Sequence, residues 1–415
     1  MQYLRYSQIL LLSILSCLYL IQCSNNSGSE KAEHIQELDS LTVYPADSEP
    51  AYEVDLVQEQ SFGGGNDPRE PYLITITSCA VDDNDRVIIR GQNNDFKTEL
   101  HVYNPDGSYR MQIGRSGRGP GEYEFVSNNF QINAGRVFLQ DQSTKRLSFF
   151  SADDYSFEKT TNLQDWNVRD LEAVRDMKLS DFRARSDGNL LAIFSGLPTG
   201  SGRTANTKFM LVDTEGNVLN PEPLIELPSP FYIVNENRGN TLLPLRMQLS
   251  LMGRSLYVLS HDNAIYTVSQ TEDFLIKKYD AEGIYQFAIY YPVMGPPFDV
   301  DSVRLPGGHS QLAIKNALEE ADVEIPETAP VLHNMRIDDE NRIWVTVAVD
   351  TETSEWWMLG ESGELLAKII APENEAICDI QNGYLYTKSF DSKGSDDPEG
   401  WESKVVKYSI NLTER

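Results

Sequence analysis

The sequence predicts an all-β fold, a six-bladed β-propeller. Three observations carry that expectation. One strand–turn–strand unit recurs six times, a glycine-rich crossover joins the first two copies, and the two ends of the chain supply complementary parts of one blade.

The copies are read from alternating β-branched and aromatic residues bounded by Asp/Asn/Gly turns. In the first, Val87-Ile88-Ile89 follows Asp82-Asp83-Asn84-Asp85-Arg86, and Leu100-His101-Val102-Tyr103 leads into Asn104-Pro105-Asp106-Gly107. The second has Arg136 to Leu139 and Leu147 to Phe150; the third has Leu190 to Ile193 and Phe209 to Val212. The fourth is placed at Arg254 to Val258 and Ala264 to Val268. The fifth has Ile343-Trp344-Val345 and Trp356 to Leu359, and the sixth has Tyr384-Leu385-Tyr386 and Lys404 to Tyr408. The step from Val87 to Val137 is about 50 residues, within the range for propeller blades. Later copies carry insertions. One, within 286–329, has helical apolar spacing, which predicts a short helix around 309–321.

After the sixth copy the chain stops at Arg415, which leaves that blade one strand short. An orphan strand near the start, among Leu41–Val43 or Val54–Val57, would complete it and protect both edges. The predicted domain is therefore residues 40–415.

Composition narrows the function. Of 415 residues, 63 are acidic and 35 are Lys or Arg, a formal net charge of -28. That balance excludes the basic footprint a phosphate-backbone binder needs. The histidines His34, His101, His261, His309 and His333 show no zinc spacing, and the acidic runs at 82–85 and 338–341 lack the form of an EF-hand. No metal site and no cofactor are expected. Cys79 and Cys378 fall in the first and last copies, which ring closure makes neighbours; two buried free thiols are the expected state, with a disulfide as the alternative.

Residues 1–22 read as an export signal, with Arg5 ahead of an apolar run too short to span a bilayer. The segment resembles a bacterial lipoprotein signal, with Leu20-Ile21-Gln22-Cys23 in the lipobox position and Gln22 where a small residue is usual. Cys23 is preferred to Cys17 as the lipid attachment site, because cleavage before Cys17 would leave apolar Leu18 to Ile21 behind. Residues 23–39 then form a flexible tether.

The crossover Gly114-Arg115-Ser116-Gly117-Arg118-Gly119-Pro120-Gly121-Glu122-Tyr123 is followed by another strand pattern, not by the helix of a dinucleotide site. Its glycines suit positive φ in a tight turn, with Glu122 capping backbone N–H groups or pairing with Arg115 or Arg118. This motif, set between the first two copies, resembles the six-bladed β-propeller lipoproteins of Bacteroidetes type, relatives of NHL-repeat and TolB-like propellers. The resemblance implies the fold and a cell-envelope location, and little about activity.

Propeller ligands bind where inner strands meet the channel. Inner-strand candidates at Asn128–Ile132, Asp181–Ala184, Leu245–Leu249 and His333–Ile337 bring Asn128, Arg183, Arg246, His333 and Arg336 toward the axis. With Arg115 and Arg118 on the crossover, these are the candidate ligand-binding residues; several arginines would suit a carboxylate or acidic sugar. Pairing of each arginine with a neighbouring carboxylate is the competing expectation. Adjacent Trp356 and Trp357 must face opposite sides of their strand, so wedge packing is expected over a sugar platform. The function expected is binding or scaffolding, by a lipid-anchored monomer whose partner is a small ligand, glycan or envelope protein. A hydrolase or lyase acting on a glycan or acidic sugar, built on His261, Asp262, His333 and the channel arginines, is the alternative.

Overall fold

The computed structural model describes residues 35, 37–63, 69–70, 72–127, 130–234, 246–248, 253–299, 315–316, 318–319, 326–350, 353–372, 374–390 and 403–415. The leader, Cys23 and the tether to residue 34 lie outside them. Six antiparallel sheets follow one another along the chain. The first blade has strands Thr75–Val81, Val87–Gln92, Thr98–Tyr103 and Tyr109–Gln112. The second has Gln131–Asn133, Arg136–Asp141, Arg146–Ser151 and Phe157–Asn162; the third has Lys178–Ala184, Leu190–Ser195, Asn206–Val212 and Ile225–Pro228. The fourth has Leu256–Leu259, Ile265–Val268, Phe274–Tyr279 and Tyr285–Tyr291, and the fifth has Leu332–Ile337, Ile343–Ala348, Ser354–Leu359 and Leu365–Ile370. The sixth takes Glu375–Gln381, Tyr384–Phe390 and Ser403–Glu414 from the C-terminal end and Tyr52–Phe62 from the N-terminal end.

That last pairing closes the ring. Of the two orphan candidates, the one holding Val54–Val57 completes the sixth blade, with Val54 opposite Leu412 and Phe62 opposite Val405. The other, Leu41–Val43, adds a fifth strand parallel to Tyr285–Tyr291 of the fourth blade. Tyr44 then stacks on Tyr291 at 5.0 Å, and the Ala51 N–H bonds to Leu365 of the fifth blade. The N-terminal stretch is thus a strap along the outer edges of three blades.

Each blade interface is an apolar wedge, because alternate side chains of a strand point to opposite neighbours. Trp344 and Trp356 pack with Ile377 and Leu385 between blades five and six, while Trp357 packs with Phe274 and Tyr291 between blades four and five. The two adjacent tryptophans are both wedge residues. Phe62, Tyr386 and Val405 of blade six meet Ile76, Val87 and Tyr103 of blade one across the closing interface.

Three expectations need correction. Cys79 and Cys378 are not free thiols: they form a disulfide, Cα atoms 5.5 Å apart, joining the inner strands of blades one and six. The fourth copy is out of phase by one strand. Residues 256–259 and 265–268 are its first and second strands, and 274–279 and 285–291 fill the ladder. Leu245–Leu249 is therefore not an inner strand; Arg246–Gln248 pairs with Tyr232–Val234 in a separate ribbon. The insertion begins after Tyr291, and the helix expected at 309–321 lies mostly outside the described residues, although Lys315, Asn316, Leu318 and Glu319 are helical.

Turn chemistry is regular. Asp82 Oδ1 accepts the N–H groups of Asn84 and Arg86, and Asp338 Oδ1 those of Glu340 and Arg342. The second oxygen of each takes the Nε of Arg86 or Arg342 at 2.7 Å. Both acidic runs are hairpin turns whose lead carboxylates are filled by protein donors. Gly216 closes another such turn at φ 82°, where a Cβ would lie 2.0 Å from Cγ of buried Trp166. Gly216→Ala is expected to cost about 2–4 kcal/mol by combining left-handed strain with an overpacked wedge, measured by urea denaturation. An unchanged midpoint would show that Trp166 moves aside freely.

Candidate functional site: the channel wall and its long-connection face

Strand direction alternates from the inner to the outer edge of every blade, so the connections sort onto two faces. One face carries short turns such as 82–86, 185–189, 260–264 and 338–342. The other carries the crossovers between blades and the second-to-third strand links. Variable, longer connections are where propellers place binding groups.

The inner strands of blades one, three, five and six share a bulge, with register shifts at Ile76/Ser78, Leu179/Asp181, Leu332/Asn334 and Ile377/Asp379. A bulge re-aims side chains and kinks the strand. Here Asp181, Asn334 and Asp379 each cap the N–H of the following residue at 2.9 Å. Asp379 also accepts the Val81 N–H of blade one at 2.6 Å, and Gln131 of blade two accepts the Ala184 N–H of blade three at 2.8 Å. These bonds belt the channel wall.

Two residues beyond the bulge, Arg183 and Arg336 occupy the same position of blades three and five. Their charges act on each other. Arg183 Nη1 pairs with Asp181 at 2.6 Å, and its guanidinium lies 4.9 Å over the Tyr257 ring of blade four. Burial works against the Arg183 charge, but Asp181 beside it holds the group above the usual arginine range. Arg336 has no hydrogen bond or ion pair among the described residues. Burial and then the Arg183 charge hold it below the usual range, with Asp379 opposing. It is nevertheless exposed by surface area. A side chain enclosed by protein on all sides yet reached by solvent is one that projects into a channel.

Further charges line the same wall. Lys388 of blade six donates to the Thr77 carbonyl at 2.7 Å and is held down by burial, Arg336 and Arg90. Arg90 is fully buried and bonds to the Val126 carbonyl and Thr98, and burial pushes it down to about 10. Burial raises the Asp379 carboxyl, opposed by the Val81 N–H and Arg336. Asp181, Asp379, Tyr257, Lys388 and Arg90 were not singled out from the sequence. The signal for the two acids is the four-residue pattern Leu179-Ser180-Asp181-Phe182 and Ile377-Cys378-Asp379-Ile380, visible only once the copies are aligned on the bulge.

The other candidates are dispersed. Arg115 pairs with Glu122 and Arg118 with Glu124 on the exposed crossover, where Glu122 also accepts the Gly119 N–H at 2.8 Å. Tyr123 anchors that loop through its hydroxyl to the Ile113 carbonyl. Asn128 lies outside the described residues, and Arg246 sits on the ribbon rather than the channel wall. His333 starts the inner strand of blade five on the long-connection face; burial and then Arg254 keep its imidazole below the usual histidine range, with Pro330 opposing. His261 sits in the 260–264 turn on the opposite face. The two histidines are not brought together.

Among solved structures, the chain is similar to a Bacteroides fragilis protein described as exported, at 14% identity over 90% of this chain and 100% of that one, TM-score 0.49. It is also similar to a PQQ-bound aldose sugar dehydrogenase of Streptomyces coelicolor, at 10% identity over 87% and 99%, TM-score 0.39. A third is the Cps50 (Swd1) β-propeller domain of Myceliophteria thermophila, at 9% identity over 86% and 100%, TM-score 0.38. No curated protein matches the chain significantly. The family model described as 6-bladed beta-propeller matches residues 69–282, just over half of the 415 residues. With six sheets closed into a ring around that match, the chain belongs to this family of six-bladed β-propellers.

Proposed function

We propose that this protein is a cell-envelope binding propeller, lipid-anchored through Cys23, that holds a small anionic ligand in its central channel. The observation that carries the reading is Arg336, a channel guanidinium with no hydrogen bond or ion pair among the described residues, level with Arg183 two blades away. Two arginines at one height suit a di- or tricarboxylate, each guanidinium taking one carboxylate. Among the described residues of the wall, Arg183, Arg336 and Lys388 outnumber Asp181 and Asp379, which favours an anion in a protein of net charge -28. Export is supported by the leader and by the Cys79–Cys378 disulfide, since such bonds persist in oxidising compartments. The hydrolase reading is not favoured, because His261 and His333 lie on opposite faces.

Citrate at a hundredfold over its dissociation constant is expected to stabilise the protein by about 2.7 kcal/mol, read as a rise in Tm. Arg336→Ala is expected to weaken citrate binding by roughly 10- to 100-fold, the loss of a charge-assisted hydrogen-bond pair, with the ligand-free Tm unchanged. Absence of any citrate-dependent shift, or full retention of it in Arg336→Ala, would overturn the channel reading.

A further inference from the structure

A cavity of about 220 Å³ opens on the long-connection face between the second and third blades. Its floor is Gln140, at the end of the second strand of blade two, with Ser180 on the bulge of the blade-three inner strand. Its rim holds Lys145 in a loop of blade two, Arg169 on the short helical turn Asn167–Asp170 of the crossover, and Lys178 at the start of the blade-three inner strand. No carboxylate among the described residues lines it.

Two independent observations point to a ligand. The first is charge: Lys145, Arg169 and Lys178 converge on one opening, and none of their side chains has a hydrogen bond or ion pair among the described residues. By contrast, Arg115 and Arg118 on the first crossover each pair with a glutamate. The second is Gln140, only 5% exposed, whose side-chain oxygen is buried without a hydrogen-bond partner. A buried amide oxygen left unbonded is costly, and native proteins satisfy nearly all such atoms. Gln140 lines the cavity, and rotation of its amide brings that oxygen to the cavity side, where a donor entering the cleft would bond it.

We infer that this cleft is a binding site for a single-ring sugar acid. The rim cations would take the carboxylate, Gln140 would accept a ring hydroxyl, and Gln142 and Ser180 offer further hydroxyl partners. The volume is below the roughly 300–1,000 Å³ of drug-sized ligand sites, which admits one ring and not an oligosaccharide. Leu179 and Leu163 provide the apolar surface on which a ring face rests. Its lining includes none of Arg183, Arg336 and Lys388, and the assignment does not depend on the channel reading.

The test is isothermal titration of the full-length protein with D-glucuronate, and with D-glucose as its neutral counterpart. Saturable one-to-one binding of glucuronate is expected, with glucose at least ten-fold weaker and the glucuronate affinity falling as salt rises. Lys178→Ala and Arg169→Ala are each expected to weaken glucuronate about ten-fold, while Arg336→Ala leaves it unchanged. Gln140→Leu is expected to weaken it without lowering Tm, because the substitution removes an unbonded buried acceptor rather than a fold contact. No saturable binding, or equal binding of glucose, would overturn the assignment. So would binding that survives Lys178→Ala but is lost in Arg336→Ala, an outcome that places glucuronate in the channel instead. A fall in Tm for Gln140→Leu with affinity intact would make Gln140 structural and equally sink the proposal.

Discussion

Replacing both Cys79 and Cys378 by serine is expected to lower the stability of the folded ring by about 4–5 kcal/mol. The pair closes a loop spanning a sequence separation of 299 residues, and the chain-entropy model puts the cost of losing such a link on the order of 5 kcal/mol. With roughly 2.1 cal/mol/K per residue of unfolding entropy, that corresponds to a fall in Tm of about 6 °C for a domain of this size. The link matters beyond entropy. Both cysteines lie on inner strands, at 6% exposure, inside the wedge formed by Phe62, Ile76, Tyr103 and Tyr386. Serine there adds two buried hydroxyls to an apolar interface, so Cys→Ala at both positions is the companion variant and is expected to lose slightly less. Calorimetry with and without reductant checks the result. Equal Tm values in both states would mean that the closing interface is held by packing and strand pairing alone.

Deletion of residues 52–62 is expected to have the larger consequence, loss of soluble monomer. Without Tyr52–Phe62, the strand Ser403–Glu414 presents ten formerly paired positions as an open edge. Val54 and Leu56 also leave the wedge that Tyr408 and Ile410 share with Trp356 and Ile380. A long edge with exposed apolar side chains is a template for pairing with another chain. Size-exclusion chromatography is expected to show aggregate in place of monomer. A synthetic peptide of residues 50–63 supplied during refolding is expected to restore part of the monomer by adding back the missing strand. A monomeric deletion variant with unchanged Tm would show that the sixth blade stands on three strands and that closure lies elsewhere. The two changes act on the same interface, so their effects should not add: once the strand is gone, the disulfide is the remaining covalent join between blades six and one.

The sequence by itself determined what is local. Strand periodicity and Asp/Asn/Gly turns placed five of the six copies in phase, and the pairing of the chain's ends was legible because an incomplete last blade and an orphan first strand call for each other. The alternation of Trp356 and Trp357 also follows from a period of two. Only the tertiary structure decided what depends on distance along the chain. The fourth copy was misplaced by one strand, and Arg246 with it, because the long crossover before it carries its own two-stranded ribbon and spacing there no longer counts blades. Whether Cys79 and Cys378 bond is a matter of Cα separation across a closed ring, which no local pattern reports. The same holds for the charges. Arg115, Arg118 and Arg183 found carboxylates close by in the chain, Glu122, Glu124 and Asp181, and Arg336 did not, because the position matching Asp181 is Asn334 in its own strand. Gln140, Arg169 and Lys178 come from two blades and a crossover, with nothing in their spacing to join them. They meet because blades two and three, packed side by side, leave a polar cleft between them.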